Sequence, residues 1–247
     1  MPFTFSHPAI VLPLTLLPRR LASATGLIVG SMAPDFEYFL RMKVQSEYSH
    51  TLWGLLLFCM PLGLVIAFLF HELVKPALVN NLPGFLQARF RPMAQYPWRK
   101  YFAENWPVVC VSVLIGAASH VLWDGCTHAH GFFVQAWPVF SGEWDIAGHN
   151  IPVYKMLQHG SSLAGAVAIG WVVMKLPADG LPAQPVNPRY WVLVLGWTGI
   201  VVTARLLAGG QSAAYGNLIV TVIAAFLVAL VLAPLALRWK SPAGMPE

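Results

Sequence analysis

Charge is what this chain of 247 residues has least of. Asp, Glu, Lys and Arg together make up 10% of it, where a soluble globular domain carries about 25%. A soluble protein of this length covers its surface with polar side chains, and too few are present here. Acids are scarcer than bases, 10 against 15. The bases lie in flanks between apolar runs and not on one face, so the net charge of +5 excludes a nucleic-acid-binding surface and fits a chain oriented by its loops. Three cysteines cannot make a disulfide scaffold, and Cys59 and Cys110 lie inside apolar runs as small hydrophobes. There is no Gly-rich phosphate loop, no His-Glu-x-x-His and no zinc-finger cysteine spacing. Disorder and collagen are excluded by the same composition.

What the chain has instead is apolar sequence, 57% of it, with ten tryptophans. Crossing a hydrocarbon core takes about 20 apolar residues in a helix. Five stretches meet that need: 52–70, 107–123, 161–176, 190–207 and 214–237. None has an acid in its interior, and Arg205 lies close enough to an end to snorkel. The stretch 7–31 is long enough to span, but Pro13, Pro18 and the pair Arg19-Arg20 fall in its middle. Two arginines at the bilayer centre cost about 5–7 kcal/mol. The expected arrangement is therefore a re-entrant or interfacial helical hairpin. A cleaved signal peptide is not expected, since the positive charge follows the apolar run. The expected fold is all-α: a polytopic integral membrane protein of about five transmembrane helices plus this hairpin. It forms a single transmembrane domain over 1–247, with the motifs in 1–176 and two further spans in 177–247.

Orientation follows from the bases in the connections. One side receives Lys75, Arg89, Arg91, Arg99, Lys100, Lys175, Arg189, Arg238 and Lys240, and the other Arg41, Lys43, Lys155 and Arg205. The richer side is expected in the cytoplasm. The segment 71–106 is then expected along the inner interface and the loop 125–158 outside. Trp53, Trp98, Trp106, Trp123 and Trp137 fall where an aromatic belt would be.

On this topology the polar residues converge. Asp35 follows the N-terminal segment, His50 opens the first span, His120 and Asp124 close the second, and His159 opens the third; all are expected at the outer face. A hairpin brings His7 to the same side. His120, Asp124 and His128 are spaced i, i+4, i+8, one face of a helix with a drift of about 40° per step. Imidazole and carboxylate without thiolate suit zinc, with manganese and iron as alternatives. His120 lies about a turn inside apolar sequence, where a polar side chain needs a partner. Bland roles suit other groups: His71 beside Glu72 and His149 beside Gly148 read as interface residues, and His130 stays open between an exposed residue and a member of the site. Glu143 and Asp145 read as surface, and Gly160-Ser161-Ser162 as a helix cap. Glu37 is equally an exposed acid or a partner of the site.

Several segments resemble a known family. Pro2-Phe3-Thr4-Phe5-Ser6-His7-Pro8-Ala9, Gly30-Ser31-Met32-Ala33-Pro34-Asp35-Phe36-Glu37-Tyr38, Ser49-His50-Thr51, Ser119-His120-Val121-Leu122-Trp123-Asp124 and Leu157-Gln158-His159-Gly160-Ser161-Ser162 resemble an uncharacterised bacterial membrane family described as a domain of unknown function. More distantly, the order of these motifs resembles the bacterial inner-membrane metal-dependent hydrolases, themselves likened to zinc-dependent phospholipases C. That resemblance implies metal ligands at His7, Asp35, His50, His120 and Asp124. Where the hydrolases have His-Arg before Thr-His, this chain has Glu47-Tyr48-Ser49-His50, so one ligand or base is missing and His128 or His159 is its candidate replacement.

The function expected is a metal-dependent hydrolase of the bacterial cytoplasmic (inner) membrane. Its His/Asp site lies at the outer interface, among membrane lipids, and acts on a lipid-like substrate or phosphoester. Metal is expected at His7, Asp35, His50, His120, Asp124 and His128, with Glu37 or His159 as general base. The alternative is a transporter or non-enzymatic membrane protein in which the cluster holds helices together. No nucleic-acid partner is expected.

Overall fold

The computed structural model describes residues 3–209 and 214–239. Pro2 of the opening motif and Lys240 of the charge count lie outside the described residues.

The N-terminal stretch is a broken helical hairpin. A 3₁₀ turn (Thr4–Ser6) leads into helix α1 (Pro8–Val11), and a second 3₁₀ turn (Leu12–Leu16) follows. The chain leaves helix at Leu17 and re-enters it as α2 (Ala24–Gly30), whose cap Ser23 accepts the Gly26 N–H on its hydroxyl at 3.2 Å. Arg19 and Arg20 are exposed in the connection between the two halves. A further 3₁₀ turn, Ala33–Asp35, follows α2.

Five helices are long and apolar enough to cross a membrane, which makes the chain a polytopic membrane protein. They are α3 (Leu52–Asn80), α4 (Trp98–Thr127), α5 (Val153–Lys175), α6 (Pro188–Leu207) and α7 (Tyr215–Trp239). Three run beyond the apolar stretches legible in the sequence. Helix α3 continues to Asn80 through two π-helical turns, Leu55–Cys59 and Phe70–Val74. Helix α4 is two helical segments joined at a kink: Asn105 has left helical geometry (φ −133°, ψ 23°), and Pro107, two residues later, stands in the first turn of the apolar segment, where the sequence places the start of the span. Helix α5 starts eight residues before 161. The loop 125–158 also carries an unexpected hairpin, β1 (Glu143–Ile146) and β2 (His149–Pro152). It pairs antiparallel with Ile146 opposite His149. Its two-residue turn takes positive φ at both Ala147 and Gly148, as such a connection requires.

Contacts divide the chain into two compact units. The first comprises the residues up to Asp35, Glu47–Leu64 and Tyr101–Lys175. In it α2 lies against α4 with backbones nearly touching. A methyl group at Gly30 would collide with the Val113 carbonyl, and one at Gly116 with the Leu27 carbonyl. Without water to drive association, close backbone approach at small residues is how membrane helices gain packing energy. The Ser112 hydroxyl accepts the Ser23 N–H at 2.9 Å in the same seam. Ala33, Cys59 and Ala117 then pack as a buried collar. The second unit comprises Phe36–Ser46, Val65–Lys100 and the residues from Leu176. Its core gathers Val74, Tyr190, Val194, Ala229, Leu230 and Ala233. There His71 stacks flat on Trp98, ring centroids 4.5 Å apart, and the Lys75 ammonium donates to the Met93 carbonyl at 3.1 Å.

The seam gives a direct expectation. Gly30→Val should cost about 1–3 kcal/mol as overpacking, at roughly 2–4 °C of Tm per kcal/mol for a chain of this size. Gly170→Ala, where the added carbon meets nothing within 4 Å, should leave Tm unchanged or slightly raised. Thermal unfolding in detergent reads both.

Candidate metal centre

Four separate segments of the first unit supply the polar residues. His120 and Asp124 stand one turn apart on the same face of α4. His128 follows at the helix end, its N–H donating to the Asp124 carbonyl at 3.1 Å. Asp35 ends the 3₁₀ turn after α2. His50 precedes α3, where Thr51 caps the helix by accepting the Gly54 N–H at 2.9 Å. Gly54 permits this turn, because a side chain there would strike the Tyr48 carbonyl. His7 comes from the N-terminal 3₁₀ turn, which is tied to α5: the Phe3 N–H donates to the Ser162 hydroxyl at 2.9 Å and the Ser6 hydroxyl to the Ser162 carbonyl at 2.8 Å. Gly165 makes room for Ser6, since a methyl group there would lie 2.8 Å from the Ser6 carbonyl. Thr4 donates its hydroxyl to Asp35 Oδ2.

These segments bring one ligand atom each from Asp35, His50, His120 and Asp124 within 4.8 Å of one another. His120 Nε2 is 3.4 Å from Asp35 Oδ1 and 3.3 Å from Asp124 Oδ2; His50 Nε2 is 3.9 and 3.5 Å from the same two oxygens. Ligands about 2.0–2.2 Å from a tetrahedral ion stand about 3.3–3.5 Å from each other. Three of these four spacings fall in or within 0.1 Å of that range. The other oxygen of Asp124, Oδ1, faces His7 Nε2 at 3.7 Å and His128 Nδ1 at 3.6 Å.

The electrostatics point the same way. Asp35 and Asp124 are 1% and 8% exposed. Among the described residues their ion-pair partners are all histidines. Buried carboxylates without a cation are very costly. His120 Nδ1 lies 2.7 Å from the Ser31 carbonyl, a contact only an N–H can make. In the neutral ring that leaves the Nε2 lone pair turned toward both carboxylates, an arrangement that needs a proton or a metal ion between them. His120 Nε2, Asp35 Oδ1 and Asp124 Oδ1 are buried without a hydrogen-bond partner. These orphaned donor atoms, their spacing and their uncompensated charge fit a divalent ion. His7 stacks on His120, ring centroids 3.7 Å apart. Burial first, and the neighbouring His120 second, pushes the His7 imidazole from its ordinary 6.5 to about 4, so it is neutral at pH 7.

Of the residues singled out in the sequence, His7, Asp35, His50, His120, Asp124 and His128 meet. The two candidate bases do not join them. Glu37 is held by Arg41 at 2.9 Å and by the Ser46 hydroxyl at 3.1 Å, contacts within the second unit. His159 is exposed on α5. His130 and His149 are exposed as well. Ser161 and Ser162 act as anchors: Ser161 accepts the Trp123 indole N–H at 3.1 Å, and Ser162 holds the N-terminal turn. Sequence reasoning missed Thr4, Ser31 and Ser162. Thr4 and Ser162 lie inside the quoted motifs, which is a signal; the Ser31 contact uses a backbone carbonyl and leaves none.

A family model described as "Domain of unknown function (DUF4184)" matches residues 1–235. No curated protein and no solved structure matches the chain.

Thr4→Val keeps the shape and removes a hydrogen bond to a buried carboxylate, so it should lower stability by about 1.5–3 kcal/mol. His159→Ala, at an exposed position, should stay within about 0.5 kcal/mol of the parent. Denaturation of the two variants side by side checks the contrast.

Proposed function

The chain belongs to this family of unknown function, and we propose that it is a membrane-bound metal-dependent hydrolase whose ion is held by Asp35, His50, His120 and Asp124. The observation that carries the proposal is the spacing of two imidazole nitrogens and two carboxylate oxygens in a largely buried site that, among the described residues, has no lysine or arginine paired to it. A donor set of imidazole and carboxylate favours zinc, with manganese or iron as substitutes. When bound, such an ion supplies Lewis acidity toward an ester or phosphoryl oxygen and makes water easier to ionise.

The chain's own residues supply the rest. Ser31 fixes the His120 tautomer, and Thr4 orients Asp35. His50 has 22% of its side chain exposed where His120 has none, so of these two imidazoles only His50 reaches the surface. His7 is placed as general base by its position: neither ring nitrogen has a hydrogen-bond partner, and its Nε2 stands 3.7 Å from Asp124 Oδ1. It takes the role expected of Glu37 or His159. The apolar spans support a lipid-like ester or phosphoester as substrate, and the distribution of lysine and arginine supports a site on the outer face of the bacterial inner membrane.

Elemental analysis of gently purified protein should find stoichiometric divalent metal, lost in the His120→Ala plus Asp124→Ala double variant. Zinc at a hundredfold excess over Kd should stabilise the parent by about 2.7 kcal/mol and leave the double variant unmoved. His7→Gln should keep the metal and lower hydrolysis of chromogenic esters or phosphodiesters by about 10²–10⁴-fold. Protein without metal, whose Tm ignores added zinc, would mean that the cluster only holds helices together.

A further inference from the structure

Beside the His/Asp centre, on the far side of the His7 ring, lies a groove of about 230 Å³. The N-terminal turn and α1 provide Ser6, His7 and Ile10, α4 provides Trp123, and α5 provides Ala164 and Ala168 among its small residues. Most of this wall is carbon. The groove exists because α5 presents small residues there, Ser161, Ala164, Gly165 and Ala168, while Leu163, Val167 and Trp171 stand exposed elsewhere on the same helix. Helix α5 is long and apolar enough to span the membrane and is largely uncovered, so what bathes it is hydrocarbon and not water.

One group in the groove is out of place against a merely greasy surface. His7 is 5% exposed, and neither of its ring nitrogens has a hydrogen-bond partner. It lines the groove with one side of its surroundings and stacks on His120 with the other. An occupant must therefore be apolar along most of its length and polar at the end that meets His7. At roughly 30 Å³ for a water-sized group, the space takes about eight methylenes. In a bilayer the molecule of that description is a lipid, one chain in the groove and its ester or phosphoester end at the centre.

We propose that this groove is the acyl-chain subsite of the protein, seating one chain of a membrane lipid so that the lipid's polar junction lies beside His7. The assignment rests on the hydrolase reading for its purpose and on the groove alone for its occupant, and the test separates the two. The full chain is placed in nanodiscs of phosphatidylethanolamine and phosphatidylglycerol. These contain a trace of phosphatidylethanolamine with a diazirine midway along one acyl chain. After photolysis the labelled peptides are mapped, and metal is measured in the same preparation.

The peptide bearing Ser161–Ala168 should be labelled several-fold more than peptides from α6 and α7. Ala168→Phe should remove most of that excess with metal content unchanged, and Leu163→Phe, outside the groove, should not. Ala164→Leu, at an exposed position, repeats the block should Ala168→Phe fold poorly. Labelling spread evenly over the exposed helices, or indifferent to both blocking variants, overturns the proposal even where metal is bound. Groove labelling that the blocking variants abolish in a protein without metal upholds the subsite and removes the hydrolase reading instead.

Discussion

Two buried carboxylates facing imidazoles, with no lysine or arginine at hand among the described residues, are the constraint around which the first unit is built. Such charges persist in a fold only when something cationic completes them. No lysine or arginine supplies that cation among the described residues, and several contacts fix the histidines and carboxylates in place. The Ser31 carbonyl turns one histidine, the Thr4 hydroxyl holds one carboxylate, and the Ser49 hydroxyl meets the His50 ring at 3.0 Å. A cluster that served only to bind helices together would be more stable with a simple ion pair or an apolar filling. Its spacing fits a metal ion.

Keeping four segments at that point requires close packing immediately beneath it. Ala33 lies two residues before Asp35, Ala117 three before His120, and Cys59 in the first π turn of α3; together they form the collar on which the centre rests. The Cys59 thiol also donates to the Ser49 carbonyl at 3.4 Å, so the widened turn of α3 is tied directly to the residue before His50. Single π turns of this kind recur at functional sites because they shift a helix face without ending the helix. Along α2 and α4 the glycine seam does similar work, setting the distance from Ser31 to His120 by backbone contact alone.

The N-terminal hairpin joins the centre to its surroundings. Its first turn carries Thr4 to Asp35, Ser6 to Ser162 and His7 to His120 within a few residues. His7 consequently belongs to two environments, the polar centre and an apolar groove open along a spanning helix. Under the proposed function, the same imidazole would join the reacting centre to the lipid chain.

Much of this was legible in the sequence. The five spans follow from composition, because bilayer thickness dictates a length that a local window can detect. The pairing of His120 with Asp124 follows from helical pitch, and the side on which His7 falls followed from the cost of burying Arg19 and Arg20. Span ends were less legible: α3 continues past Phe70 through a second π turn, and α5 starts eight residues before 161. Glu37 and His159 have the right chemistry at plausible places in the chain, but an arginine one turn away claims the first and the second is turned outward. Composition and periodicity alone thus determined a membrane-embedded helical protein with imidazole and carboxylate as its reactive stock. Which of those groups meet, in which tautomer, and beside what groove, was decided only when glycine and alanine let distant backbones close to contact distance, since such contacts depend on the whole packing and on no local stretch of chain.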